Sequence, residues 1–346
     1  MVVNIRVYII RRLLLIVPVI IGVTLLIFTV LQLLTPYQRA SAFVMNPQDL
    51  RPENINRTIK FYHLDDPVWV QYQVWLGQTF SGHLGVDRNG HSIAQILINR
   101  APATVELAIF ASFIIVLAGI WQGTIAARRK DRMADHATRV AAISGYSLPT
   151  FWLGLLLLAF LYGGTGRFGP GVVSTSVYLY TLGPEFTRYT GMYTIDGILN
   201  GDLFVTWDAL EHLVLPVLTL SFVSWAIVTR IMRSSMIEAL GRDYVRFARA
   251  KGVPERIVVR RHARRNALIP VATVSGLIVA GLLNGVVITE TVFGRPGIGE
   301  FAASAAVNLD IAAVLGFTLV TAFLIVIANL VVDIMYAYID PRVRLE

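Results

Sequence analysis

Cysteine is missing from all 346 residues. Its absence excludes disulfides, thiolate zinc sites, iron–sulfur clusters and thiol catalysis together. Charge is also scarce: 15% of the residues are Asp, Glu, Lys or Arg, against about 25% in a soluble domain. No GxxxxGK[ST] nucleotide loop occurs, and the nearest candidate, GRPGIGE at 294–300, has no lysine. Ionisable residues avoid the middle of the apolar runs as well. Those inside the runs, Glu106, Glu211, His212, Glu290 and Asp333, all fall near run ends. An ion-driven carrier usually keeps a charge deep in the bilayer, where the cost of burying it makes it functional. The lack of one argues against a self-powered carrier and places the power source on another molecule.

What is present is oil. Apolar residues make up 55% of the chain, and the mean hydropathy is +0.63. Six runs are long enough to cross a bilayer as helix, near 13–34, 103–126, 140–162, 209–229, 268–290 and 311–333. The first is longer than the apolar part of a secretory signal and has no A-x-A-like cleavage site after it, so it reads as a retained span. The net charge of +8 fits the inner face of a membrane better than nucleic acid. With the N-terminus inside, inner segments hold 21 Lys and Arg and outer segments 9. The expected chain is therefore an all-α, multi-pass integral membrane protein with both termini in the cytoplasm.

The expected organisation is a first span over 1–34, an outer loop over 35–102, five further helices over 103–336 and a tail over 337–346. The outer loop is too poor in core residues for a domain, so short helices lying on the membrane are expected there. Trp69, Tyr72 and Trp75 suit the interfacial belt. Residues 163–208, rich in Gly, Thr and Tyr, read as irregular outer structure. His63, His83 and His91 are scattered without ligand spacing, and no metal site is expected. Ser144, Ser147 and Asn284 are the polar groups best placed to line a central path, although small polar residues in spans also cement helix packing. Gly294, Pro296, Gly297 and Gly299 read either as an outer gate or receptor contact, or as a plain turn into a short helix.

The inner segment 230–267 holds the densest charge, YVRFARAKGVPERIVVRRHARRNALIP over 244–270. A helix is expected over 235–251, with Ile237, Leu240, Tyr244, Phe247 and Ala248 on one face and Arg242, Arg246 and Arg249 on another. Gly252 suits a left-handed helix end, and Pro254 with Glu255 suits a new start. A second helix over 254–267 would carry Arg256, Arg260 and Arg264 as one stripe. A solvated loop resting on lipid explains the charge but not the apolar face or the small residues at the turn. A compact helical tip with apolar anchors suits a groove on a partner.

The stretch RSSMIEALGRDYVRFARAKGVPERIVVRRHARRNALIPV resembles the EAA loop of ATP-binding-cassette importer permeases in its peptide-permease form. YIIRRLLLIVPVIIGVTLLIF, LDDPVWVQYQVWLGQTFSGHLG, RAPATVELAIFA, HLVLPVLTL, ETVFGRPGIGEF and DIMYAYIDPRVR resemble the same family in the same order. Three departures stand out. Arg246 and Phe247 occupy the Glu and first Ala of the EAA triplet, TPYQRA replaces a PGDP-like sequence after the first span, and 173–207 looks like an insertion.

The resemblance implies the type I ABC importer membrane fold with six transmembrane helices, in the first ("B"-type) permease of a heterodimer. It implies a second non-identical permease, two ABC ATPase subunits and an extracytoplasmic substrate-binding protein as partners, in a prokaryotic inner membrane. ATP and Mg would bind the ATPases, with no cofactor and no catalytic residue in this chain. Cargo would be di- or oligopeptide, with oligosaccharides and nickel chelates as the alternatives in the same branch. The ATPase-coupling role would fall to Phe247, Ala248 and Val253 as groove contacts, Gly252 as the turn, and Arg246, Lys251, Glu255 and Arg256 as polar contacts.

Overall fold

A chain this apolar can satisfy its backbone polar groups in a bilayer only by closing them into helices or a barrel, and here it uses helices. The computed structural model describes residues 5–44, 51–283 and 286–339. Among them no strand forms; a single isolated bridge joins Val86 to Ser92. The helices are α1 Ile5–Leu31, α2 Pro36–Ser41, α3 Pro52–Phe61, α4 Val68–Phe80, α5 Ile93–Arg128, α6 Met133–Ser147, α7 Thr150–Leu157 and α8 Gly163–Thr165. They continue as α9 Thr175–Tyr180, α10 Tyr193–Leu199, α11 Leu203–Gly241, α12 Asp243–Ala250, α13 Glu255–Ile257, α14 Arg264–Leu283, α15 Val287–Val292, α16 Ile298–Val307 and α17 Ile311–Ile339. Wider π-helical turns join α7 to α8 and α13 to α14.

Five helices are long and apolar enough to cross a membrane: α1, α5, α11, the run from α13 through α14, and α17. The sixth expected span is a bent pair, α6 with α7 and α8, turned by 100° at the break before Thr150. Pro149 explains the break, since it lacks an amide hydrogen and disfavours helix in Leu148, which is extended. The fifth span is described as far as Leu283, and Asn284 lies outside the described residues.

The core is the pairing of α5 with α11. Gly119 and Gly123 on α5 let α11 approach so closely that a Cβ at Gly123 would stand 2.6 Å from the Thr229 carbonyl. Such small-xxx-small contacts replace the hydrophobic drive that lipid cannot supply. Polar groups add to it, with Gln122 accepting from the Trp225 indole and from Thr229. Both helices overrun the bilayer. The 39 residues of α11 extend about 58 Å at 1.5 Å per residue, roughly twice the hydrocarbon thickness.

The helices' ends are unlike. At one end residues 35–44, 51–92, 166–202 and 286–310 gather. Here Tyr72 and Trp75 of α4 pack on Phe28 of α1, with ring centroids 5.2 and 5.6 Å away, and the Tyr72 hydroxyl meets Thr24 at 2.9 Å. Residues 163–208 are more ordered than expected. Helices α9 and α10 enclose a small core of Val173, Val177, Phe186 and Tyr193 against Val205 and Ala209 of α11. At the other end α6 and α11 are tied by Asp135, fully buried, whose carboxylate takes Arg233 Nε at 2.5 Å and an Nη at 2.7 Å.

Candidate coupling site

Beyond Gly241 the chain changes direction at Arg242, whose ψ of 152° breaks the helix expected over 235–251. Helix α12 then starts afresh, and its inward face differs from the expected one. Val245 and Ala248 are buried, whereas Tyr244 and Phe247 turn outward, Phe247 with 69% of its surface exposed. Ile237 and Leu240, before the break, pack against the core as expected.

Helix α12 ends as its sequence requires. Gly252 takes φ +72°, its amide donates to the Arg249 carbonyl at 2.9 Å and the Val253 amide to the Ala248 carbonyl at 3.2 Å. These are the two bonds of a Schellman ending, and only glycine adopts that φ without steric cost. Val253 and Ala248 pack into the common core and supply its apolar contact. Pro254 is extended and opens the following helix, its carbonyl accepting from Val258 at 3.1 Å. The expected second helix over 254–267 is in fact the first part of the fifth span, with Val258, Val259 and Ala263 buried and Arg256, Arg260 and Arg264 outside.

Of the expected coupling residues, Arg246, Phe247, Lys251, Gly252, Glu255 and Arg256 are exposed, whereas Ala248 and Val253 face this chain's own core. Glu255 is engaged within the chain: Arg249 grips it across the turn through Nε at 3.0 Å and an Nη at 2.8 Å. The carboxylate raises Arg249 above its ordinary pKa. The arrangement is a stiff knuckle whose inner side is closed by packing and whose outer side carries an aromatic ring among cations.

The other expected residues are dispersed. Ser144 and Ser147 are exposed on α6, the second donating to the Ile143 carbonyl at 2.9 Å. Gly294, with φ +58°, and Pro296 are exposed, whereas Gly297 and Gly299 are buried against the Glu290 carboxylate, where a side chain on Gly297 would collide. His63 pairs with Asp66 at 2.6 Å and His91 lies 3.5 Å from Asp87.

Around those glycines lies a knot of charge that sequence reasoning did not assemble. Arg295 is fully buried and donates to Glu106 at 2.9 Å. The other Glu106 oxygen accepts from the Thr194 amide and hydroxyl at 3.0 and 2.8 Å. Thr104 donates to Glu290 at 2.6 Å and accepts from the Ile298 amide at 2.9 Å, and Glu290 accepts from the Glu300 amide at 2.9 Å. Burial lowers the Arg295 pKa and the Glu106 carboxylate opposes that shift, so the guanidinium keeps its charge. The available signal was one arginine in ETVFGRPGIGE and two acids at span ends, 106 and 290.

Residues 115–345 match the family described as binding-protein-dependent transport system inner membrane component. The chain belongs to that family. Among its relatives, the probable D,D-dipeptide transport system permease of Escherichia coli strain K12 is 42% identical over 298 residues, 84% of each chain. The dipeptide transport system permease of Alkalihalophilus pseudofirmus is 35% identical over 346 residues, covering 97% of this chain and 99% of that one. An oligopeptide transport system permease of Bacillus subtilis is 32% identical over 339 residues, with the same coverage. This permease is thus a multi-pass inner membrane subunit of an ATP-driven, binding-protein-dependent importer, with the type I membrane fold.

Proposed function

We propose that this permease forms half of the translocation pathway for di- and oligopeptides, and that a separate ATPase drives it through the knuckle at 242–256. The observation that carries this reading is the two-sided knuckle. Its inner side is fixed to the bundle by Val245, Ala248 and Val258, while Phe247 stands 69% exposed beside Arg246, Lys251 and Arg256. An exposed ring among cations on a rigid tip is the anchor pattern of a surface that buries on docking. Helix α11 runs unbroken to Gly241, so force on the tip transmits to the α5–α11 core rather than being lost in a flexible loop.

In this reading the knuckle and both termini lie in the cytoplasm. Two ATPase subunits hold ATP and Mg there, and this chain needs no cofactor and performs no hydrolysis. A second, non-identical permease covers some of the exposed apolar residues of the spans, such as Ile109 and Phe113 on α5. A binding protein delivers cargo to the opposite end, where Gly294 and Pro296 are exposed. The relatives' peptide permease names support peptide cargo.

The test is substitution at the tip in the reconstituted complex. Gly252→Arg places a bulky cation where the backbone has φ +72° and no neighbour lies within 4 Å. It should abolish uptake and substrate-stimulated ATP hydrolysis while the subunit still inserts and assembles. Phe247→Ala should weaken ATPase docking by about 2 kcal/mol, the scale of an aromatic hot spot. Normal transport by Gly252→Arg would remove the coupling assignment. For the cargo, titrating the cognate binding protein with dipeptides, oligosaccharides and nickel chelates decides, and binding of sugars alone would reject peptides.

A further inference from the structure

Arg39, on α2 just after the first span, is a buried cation with incomplete bonding. It is 8% exposed. One terminal nitrogen donates to Gln32 at 3.0 Å and Gln71 at 2.5 Å, and the other to the Leu64 carbonyl at 3.1 Å. All three acceptors are neutral, and among the described residues its Nε has no partner. Burial lowers its pKa. An arginine cannot shed its proton to escape this, and a buried charge normally needs a counter-charge.

The side chain lines a cavity of about 330 Å³ between α1, α4 and the start of α17. Its wall is mostly apolar, with Ile27, Leu31, Leu315 and Leu319 on the two spans. Away from Arg39, Asp87, Arg88 and Asp310 also line it. The two carboxylates are already engaged. Asp310 accepts from the Arg88 amide at 2.8 Å and the Ala313 amide at 3.1 Å, Asp87 accepts from the Asn89 and His91 amides at 2.9 and 2.8 Å, and Arg88 donates to the Leu309 carbonyl at 2.9 Å.

Depth identifies the occupant. The apolar part of α1, Ile10–Leu31, has 22 residues, about 33 Å of helix against a hydrocarbon core of about 30 Å. Leu31 therefore stands where the bilayer's phosphates begin, and Arg39 follows within that layer. A buried guanidinium with only neutral acceptors among the described residues, above an apolar cleft at this depth, matches a molecule with a phosphodiester and an acyl chain. Guanidinium and phosphate pair through short, charge-assisted bonds. We propose that the cavity between the first and last spans binds one membrane phospholipid, its phosphate beside the Arg39 guanidinium and an acyl chain along Leu31, Leu315 and Leu319.

The assembled importer, purified in detergent and stripped by exchange, would be examined by native mass spectrometry for retained phospholipid. The wild type should keep one lipid that survives exchange. Arg39→Gln should lower its retention at least about tenfold, the loss expected for one charge-assisted hydrogen bond. Leu315→Trp keeps Arg39 but fills the apolar cleft, and should lower retention likewise; it decides the matter if Arg39→Gln fails to assemble. Phosphatidylglycerol and phosphatidylethanolamine added back separately report whether the headgroup beyond the phosphate matters, and rebinding of either in preference to a phosphate-free diacylglycerol supports the site. No lipid on the wild type, retention unchanged in Leu315→Trp, or stabilisation by inorganic phosphate equal to that by lipid would each overturn the proposal.

Discussion

The span α14 has a Gly-x-Pro turn on either side of it in sequence, and the two have opposite interiors. Gly252-Val253-Pro254 and Gly294-Arg295-Pro296 both place glycine in the left-handed region, at φ +72° and +58°. Both release the chain into a new helix a few residues later, at Glu255 and Ile298. At the first turn the middle residue is an aliphatic tucked inward and the charges stand outside. At the second the middle residue is a fully buried arginine, and the chain wraps around its ion pair. One backbone device thus serves two physical ends: exposed charge leaves a surface free to meet another molecule, whereas buried charge commits several segments of one chain to a single arrangement.

Breaking the buried pair should give the largest effect. Arg295→Met leaves the Glu106 carboxylate buried without its cation and should cost about 3–5 kcal/mol. Unfolding of the purified subunit in mixed micelles measures it. Adding Glu106→Gln in the same chain should restore much of that loss, because the penalty belongs to the orphaned charge. A single substitution no more harmful than the double one would show that the pair does not tie α5 to the loop. Next comes Thr104→Val, which removes the donor to Glu290 and the acceptor of the Ile298 amide. About 1–3 kcal/mol is expected from the two unsatisfied groups, read in the same assay.

The glycines sharpen the comparison because nothing lies within 4 Å of a Cβ built on Gly252 or on Gly294. Alanine at either position meets only the backbone cost of a left-handed residue, about 1–2 kcal/mol. The two substitutions should therefore destabilise equally. A markedly larger loss at Gly294 would mean that the buried knot draws strain into its turn, and the equality would fail.

Much of this was legible in the sequence for a physical reason: span length, the Gly-x-Pro signal and motif order are local. The Schellman end at Gly252 follows from neighbours within a few residues, and the family resemblance from the order of short segments. What was not legible depends on rotation and on partners distant in the chain. A break at Arg242 turned Phe247 outward and Ala248 inward, which no periodicity carried through 235–251 foretells. Glu106 and Arg295 are 189 positions apart, and each alone reads as a charge at a membrane surface. The bend before Thr150 was signalled by Pro149, yet hydropathy alone runs straight through it.

The smallest effect belongs to the exposed pair, Arg249 with Glu255, which spans the first turn as Arg295–Glu106 fills the second. Its side chains are 44% and 54% exposed, so water and salt screen it. Glu255→Gln should cost less than about 1 kcal/mol in unfolding, and the difference should shrink further as ionic strength rises. Its geometry is nonetheless bidentate and joins α12 to the following helix, so the same substitution should loosen the knuckle locally. Hydrogen exchange of the Gly252 and Val253 amides, each bonded within the turn, should speed up while amides in α11 stay unchanged. If those two amides exchange no faster in Glu255→Gln, the stiffness of the tip comes from the Schellman bonds and the packing of Val253 alone, and the contrast between the two turns reduces to which residue is buried.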